Sequence, residues 1–147
     1  DLFDVFFEYP DGVRATMAQR QIANCHSDNS DNILGSKGIA LGGWNNPVIR
    51  GETSWRHPGP RPGSDMYVQE HRELFAALRK GEAKNDGTWM AHSTLMALMG
   101  RTAAYTGQEI TWEQILAGQE KLVPDNPTWD MKWPIAPIAV PGKTKFI

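Results

Sequence analysis

Up to about residue 55 the chain reads as short strands, and from Asp65 to Gln114 it reads as helix. That order is the strongest constraint the sequence carries. Strands followed by helices build an open, mainly antiparallel β-sheet with helices packed on one face, an α+β arrangement. Nothing alternates as a βαβ unit would, so a complete Rossmann domain is not expected in this chain. The expected organisation is one domain over residues 1–147. Strands occupy about 1–55, helices about 65–118, and an irregular Pro-rich tail 124–147.

The helical half holds the clearest local signals. From Met66 to Lys80, the apolar positions Tyr67, Val68, Leu74, Phe75 and Leu78 fall on one helical face with His71 between them. Asp65 suits the start, Arg79 and Lys80 suit the negative end of the helix, and Gly81 can close it. A second helix runs from about Thr88 to Tyr105 and ends at Gly107. It is apolar over much of its surface (Met90, Ala91, Leu95, Met96, Ala97, Leu98, Met99, Ala103, Ala104), which predicts burial. Thr111-Trp112-Glu113-Gln114 has the form of a capping box and starts a short third helix.

The strand half is punctuated by turns. Leu2 to Tyr9 is rich in Phe, Val and Tyr. Pro10-Asp11-Gly12 is a turn, and Val13 to Ile22 returns as the second strand of a hairpin. Residues 24–32 are polar, a loop or a weak strand. Residues 33–41 read as two short strands about a Gly-containing turn, and residues 42–47 as a break. Val48 to Trp55 offers one more strand. Residues 56–64 hold three prolines and two glycines and read as a loop. Five prolines between Pro124 and Pro141 make the tail irregular, packed by Trp129, Trp133, Ile135 and Ile138.

Composition narrows the function classes. The chain has 147 residues, enough for one domain that buries about 70% of its unfolded surface. Its net charge of −2 gives no electrostatic reason to expect nucleic acid or an anionic membrane, and its fifteen basic residues form no block. No apolar run approaches the ~20 residues of a membrane span. The single Cys25 excludes an internal disulfide. No secretory signal is visible. The chain begins at Asp1 and runs straight into a strand, so a cut or processing site is expected there.

Most chemical motifs are absent. Gly35-Ser36-Lys37-Gly38 with Gly42-Gly43 lacks GxGxxG spacing and a following helix, so hairpin turns are expected rather than a phosphate cradle. Lys143-Thr144 lacks P-loop glycines. His26, His57, His71 and His92 show no metal spacing, and adjacent Cys25 and His26 share one ion poorly. No GxSxG elbow marks a nucleophile.

One cluster stands out: residues 51–57 (GETSWRH) and 65–71 (DMYVQEH). Rings beside Arg and His at a loop-to-helix junction can stack on C–H faces and hydrogen-bond hydroxyls, which suits a polyhydroxylated ligand. Trp55, Arg56, Tyr67 and His71 are the candidate substrate-binding residues. The same residues also fit ordinary packing, with Trp55 a core anchor and His71 a half-buried histidine.

These stretches also carry a resemblance. DLFDVFFEYPDGVRATMAQRQ (1–21), GSKG (35–38), GGW (42–44), IRGETSWR (49–56), YVQEH (67–71), STLMALMGRTAAYTGQEITWEQ (93–114) and PGKTKF (141–146) resemble, in order, the C-terminal part of bacterial Gfo/Idh/MocA-type oxidoreductases. The resemblance implies an α+β domain whose open antiparallel sheet covers substrate and mediates oligomers. It also implies an N-terminal Rossmann domain that binds NAD or NADP, and hydride transfer to or from a sugar, inositol or related polyol. It places Tyr67 and His71 at the start of the helix that borders the substrate cleft.

The departures limit that inheritance. The glycine motif, the catalytic lysine of an EKP-like segment and the His/Asp motif of such enzymes lie upstream of the part seen here. Glu120-Lys121-Leu122 lacks the proline, and relatives often place an acidic residue where His92 stands. No catalytic residue is therefore carried over.

The expected function is the substrate-side and oligomerisation domain of an NAD(P)-dependent oxidoreductase, without a bound cofactor or activity on its own. Its expected partners are a second copy through the sheet face, a missing N-terminal Rossmann domain and a polyol, with no nucleic acid or membrane. The alternative is a free-standing binding or structural module without redox activity. The resemblance leaves the compartment open between cytoplasm and periplasm.

Overall fold

The structure, a computed structural model, describes residues 2–43, 46–59, 66–132 and 135–147. Asp65, expected to cap a helix, and Trp133, expected to anchor the tail, lie outside them, as do residues 60–64 of the Pro-rich loop. The fold is α+β: a two-stranded sheet, an open antiparallel sheet of four strands, and three helices, with no closed barrel among the described residues. Residues 1–23 with 86–147 form one compact unit, and residues 24–85 form another.

In the first unit, β1 (Leu2–Glu8) and β2 (Arg14–Arg20) pair antiparallel from Leu2↔Arg20 to Glu8↔Arg14. Pro10–Gly12 turns the chain, closed by Tyr9 N–H to the Val13 carbonyl at 2.8 Å. Asp11 takes a left-handed φ of 66°, which its short polar side chain tolerates. Strand alternation turns Phe3, Val5, Phe7, Ala15 and Met17 inward and leaves Leu2 and Phe6 outside.

The inward face rests on α2 (Gly87–Thr106), with β1 running opposite to the helix. Tyr9 Oη donates to Met96 Sδ at 3.2 Å, and the Phe3 ring lies 5.6 Å from that of Tyr105. Between them, Gly100 is buried. A Cβ there would stand 3.1 Å from Phe7 Cζ and 3.3 Å from Met17 Cε. Glycine weakens a helix by roughly 1 kcal/mol relative to alanine; here its missing side chain is the seat of two others.

Only the C-terminal half of α2 is covered. Trp89 and Met90 are exposed, so the all-round burial predicted from composition does not hold for the first turns. Gly107, at φ 68°, ends the helix with its N–H on the Ala103 carbonyl. The tail completes the cap: Gly142 N–H bonds the Thr106 carbonyl at 2.8 Å, and buried Thr106 Oγ1 donates to the Thr102 carbonyl.

α3 (Trp112–Ala117) starts with the predicted capping box. Gln114 N–H bonds Thr111 Oγ1 at 3.2 Å, and Thr111 N–H bonds Gln114 Oε1 at 2.8 Å. The tail returns here as well, with Gln119 N–H on the Ile147 carbonyl at 3.1 Å. Backbone ties and Phe146 beside Gly118 hold the tail here, while three of the predicted anchors, Trp129, Ile135 and Ile138, are exposed.

In the second unit, β3 (Asn32–Gly35), β4 (Gly38–Leu41), β5 (Val48–Gly51) and β6 (Trp55–Arg56) lie in chain order. Gly38 and Gly51 face each other at φ 154° and 156°. A Cβ on Gly38 would meet the Arg50 carbonyl oxygen at 2.4 Å, and one on Gly51 the Lys37 carbonyl oxygen at 2.2 Å. Neither can be another residue without moving backbone.

α1 (Met66–Arg79) ends at Gly81 in a Schellman motif: Gly81 N–H bonds the Leu78 carbonyl and Glu82 N–H the Ala77 carbonyl, both at 3.0 Å. Of its apolar stripe, Tyr67, Val68, Leu74, Phe75 and Leu78 all remain exposed.

Burial is correspondingly thin. Among the described residues, Val5, Val48, Ala77 and Ile110 are the buried apolar side chains; the stripes identified in the sequence lack cover.

Replacing Gly100 with leucine is expected to lose about 1–3 kcal/mol of stability, since Phe7 and Met17 must leave their seat. Urea unfolding of the two proteins measures the difference; an unchanged midpoint would remove Gly100 from this role.

Candidate functional site

Each candidate residue is placed by its own element. Trp55 and Arg56 are adjacent in β6, so their side chains leave opposite faces of the sheet. Trp55 shares its face with Ile49, Ala40 and Ile33 through the strand register. Its ring stands edge-on to His57, centroids 6.0 Å apart.

His57 is itself held: its N–H bonds the Pro47 carbonyl at 3.0 Å, and its Nδ1 accepts from Gly59 N–H at 3.2 Å. A nitrogen that accepts carries no proton, so the neutral ring has its hydrogen on Nε2. Asn46 Nδ2 donates to the Gly59 carbonyl at 3.5 Å, while its Oδ1 is buried without a hydrogen-bond partner among the described residues.

Tyr67 and His71 share a face of α1 at i and i+4. His71 Nδ1 lies 2.6 Å from the Tyr67 carbonyl oxygen, which can only accept, so Nδ1 carries the proton. Glu70 Oε1 stands 3.6 Å from the same nitrogen. The spacing continues: His71 lies 6.4 Å from the Phe75 ring, and the Arg79 guanidinium lies 5.9 Å from that ring's centroid. Tyr67, His71, Phe75 and Arg79 thus form a column one turn apart. Tyr67 is 62% exposed, and the His71 side chain is equally so.

The four predicted residues therefore gather as two pairs of unlike kind. Among the described residues, no hydrogen bond, ion pair or ring contact joins Trp55 or Arg56 to Tyr67 or His71. Trp55 has His57 near it instead, and Asn46 bonds Gly59, which in turn bonds His57. His57 was legible, since residues i and i+2 of an extended chain share a face; Asn46 arrives through a loop and had no sequence signal.

The remaining motifs resolve as structure. Ser36-Lys37 turns β3 into β4. Thr144 caps a turn, its Oγ1 accepting from Val140 N–H at 2.8 Å. His92 packs edge-on to Trp112 at 5.5 Å. Among the described residues, no three His, Cys, Asp or Glu side chains are placed to hold a metal ion, and no helix is long and apolar enough to cross a membrane.

No model of a protein family matches the chain, and no curated protein and no solved structure matches it.

The exposure of His71 yields a stability expectation. His71→Ala removes one bond to a helix carbonyl and little packing, so unfolding free energy should change by less than about 0.5 kcal/mol. Thermal unfolding measures it. A drop of several degrees would mean that the ring is packed in solution.

Proposed function

We propose that this chain is the substrate-side and oligomerisation part of an NAD(P)-dependent oxidoreductase acting on a sugar, inositol or related polyol. Three lines support the reading. The ordered motifs from residues 1–21 to 141–146 resemble those of Gfo/Idh/MocA-type enzymes. An α+β scaffold with an open antiparallel sheet suits that role. The observation that carries most weight is the apolar surface left open on elements whose local caps and turns are well made. Such a module is suited to completion by other protein.

In this reading the exposed column on α1 offers Tyr67 Oη and His71 as hydrogen-bonding groups, and Trp55 offers a ring face for the C–H surface of a sugar. The hydride chemistry belongs to the nicotinamide held by the upstream domain, not to any residue of this chain.

Self-association follows from the outer face of the hairpin. Phe6 is 74% exposed there and Leu2 is exposed beside it. Asp4 and Glu8 line β1, while Arg14 and Arg20 line β2. Two hairpins meeting face to face about a two-fold axis bring acidic row to basic row around an apolar centre.

The decisive experiment is to read the gene upstream of the Asp1 codon. An in-frame strand–GxGxxG–helix segment supports the proposal; a start codon there favours a free-standing binding or structural module. In protein carrying that segment, Tyr67→Phe should lower kcat/KM for a polyol by the equivalent of about 0.5–1.5 kcal/mol. Steady-state kinetics against wild type is the measurement, and unchanged turnover removes Tyr67 from the site.

The chain alone should not bind NAD(H), because neither its sequence nor its described residues carry a dinucleotide-binding unit. Micromolar affinity by calorimetry would overturn that. The isolated chain should be a dimer or higher oligomer at tens of micromolar, and Phe6→Asp should lower its mass without loss of helix signal. Light scattering showing wild-type monomer would defeat the hairpin interface.

A further inference from the structure

Two apolar surfaces of the second unit have no partner among the described residues. One is the row Ile33, Ala40, Ile49 and Trp55, one residue from each strand, in register on one sheet face. Ile33, Ile49 and Trp55 are exposed. Gly35, Gly38 and Gly51 share that face and add no side chain beside the row. The other surface is the stripe Tyr67, Val68, Leu74, Phe75 and Leu78 on α1. The two belong to the same unit, yet α1 makes no extended contact with any of β3 to β6.

Their dimensions agree. A helix of 14 residues is about 21 Å long. Four strands at about 4.8 Å spacing span about 14 Å, so one stripe can cover the whole row. The exposed parts of Trp55, Tyr67 and Phe75 supply about 300 Å², and the half-exposed aliphatic side chains bring one such contact to about 700 Å² counted over both surfaces. Two equal contacts remove about 1,400 Å², within the range of a standard stable interface.

We propose that α1 of one copy lies across the four-stranded sheet of a second copy, whose own α1 returns the contact. The partner is this same chain. The arrangement is isologous and closes at two copies, since each copy gives one helix and receives one. Exchange keeps the helix-on-sheet contact and changes only which copy supplies the helix. It accounts for these two surfaces with a single partner and leaves Leu34 and Ile39, on the opposite sheet face, uncovered. The proposal uses residues separate from the outer face of the hairpin, but it covers Trp55 and Tyr67, so exchange and sugar binding at these two residues exclude one another.

The test uses the full chain with Cys25→Ser, because Cys25 is exposed and would react. Ile49→Cys and Leu74→Cys are introduced singly, at exposed positions. The two variants are mixed, unfolded, refolded together and treated with a short bis-maleimide. A covalent heterodimer in large excess over either variant treated alone supports exchange. The double variant Ile49→Cys/Leu74→Cys should likewise run as a covalent dimer. A cross-linked monomer from the double variant means that α1 covers its own sheet, and overturns the proposal. Absence of cross-linking in both samples, with normal circular dichroism, overturns it as well. Repeating the mixture with Phe6→Asp added isolates this contact from the hairpin interface: retention of the heterodimer supports the proposal, and its loss overturns it.

Discussion

The seating of Phe7 and Met17 on Gly100 is the contact on which the first unit depends. A two-stranded hairpin is marginal in water by itself, and most helical stability comes from packing rather than propensity. β1–β2 and α2 therefore need each other, and they meet where the helix has no side chain. Tyr9 on Met96 and Phe3 on Tyr105 hold the strand on either side of that seat. Val5, between Phe3 and Phe7, is consequently among the few well-buried apolar residues.

Local order and tertiary cover are unequal in this molecule. The capping box at Thr111, the Schellman turn at Gly81 and the two-sided close approach at Gly38 and Gly51 are all well formed. Yet the α1 stripe, the Ile33–Trp55 row and the outer face of β1 stay open. Elements made by near neighbours in sequence are complete, while surfaces that need a distant or separate partner are not. That contrast is what the proposed role, completion by other protein, asks for.

The same contrast sets what the sequence reveals. The β1–β2 and β3–β4 hairpins, helix limits and the α+β order are legible because turn residues, caps and alternation act within a few positions. The β5–β6 hairpin is not, since Val48 to Trp55 reads as one strand where the chain turns back at residues 52–54. Cover is not, because periodicity marks which residues would gain from burial without naming what buries them. The exposed Trp89 and Met90 and the unpacked Trp129, Ile135 and Ile138 all follow from that gap. For the candidate site, the Tyr67–His71 pairing is legible from helical spacing. The separation of Trp55 from Arg56 is legible too, through strand alternation, but only once β6 is recognised as extended. The bond from Asn46 to Gly59 depends on loop geometry that no local pattern encodes.

The opposed glycines of β4 and β5 restrict the routes by which this sequence can drift. A substitution at either one collides with a carbonyl oxygen rather than with a side chain. No trimming of a neighbouring side chain can therefore act as a suppressor, and changing the opposite glycine only adds a second collision. A compensating mutation has to shift a strand. A shift of one residue would turn Ile49 to the other face of the sheet and break the row that ends at Trp55.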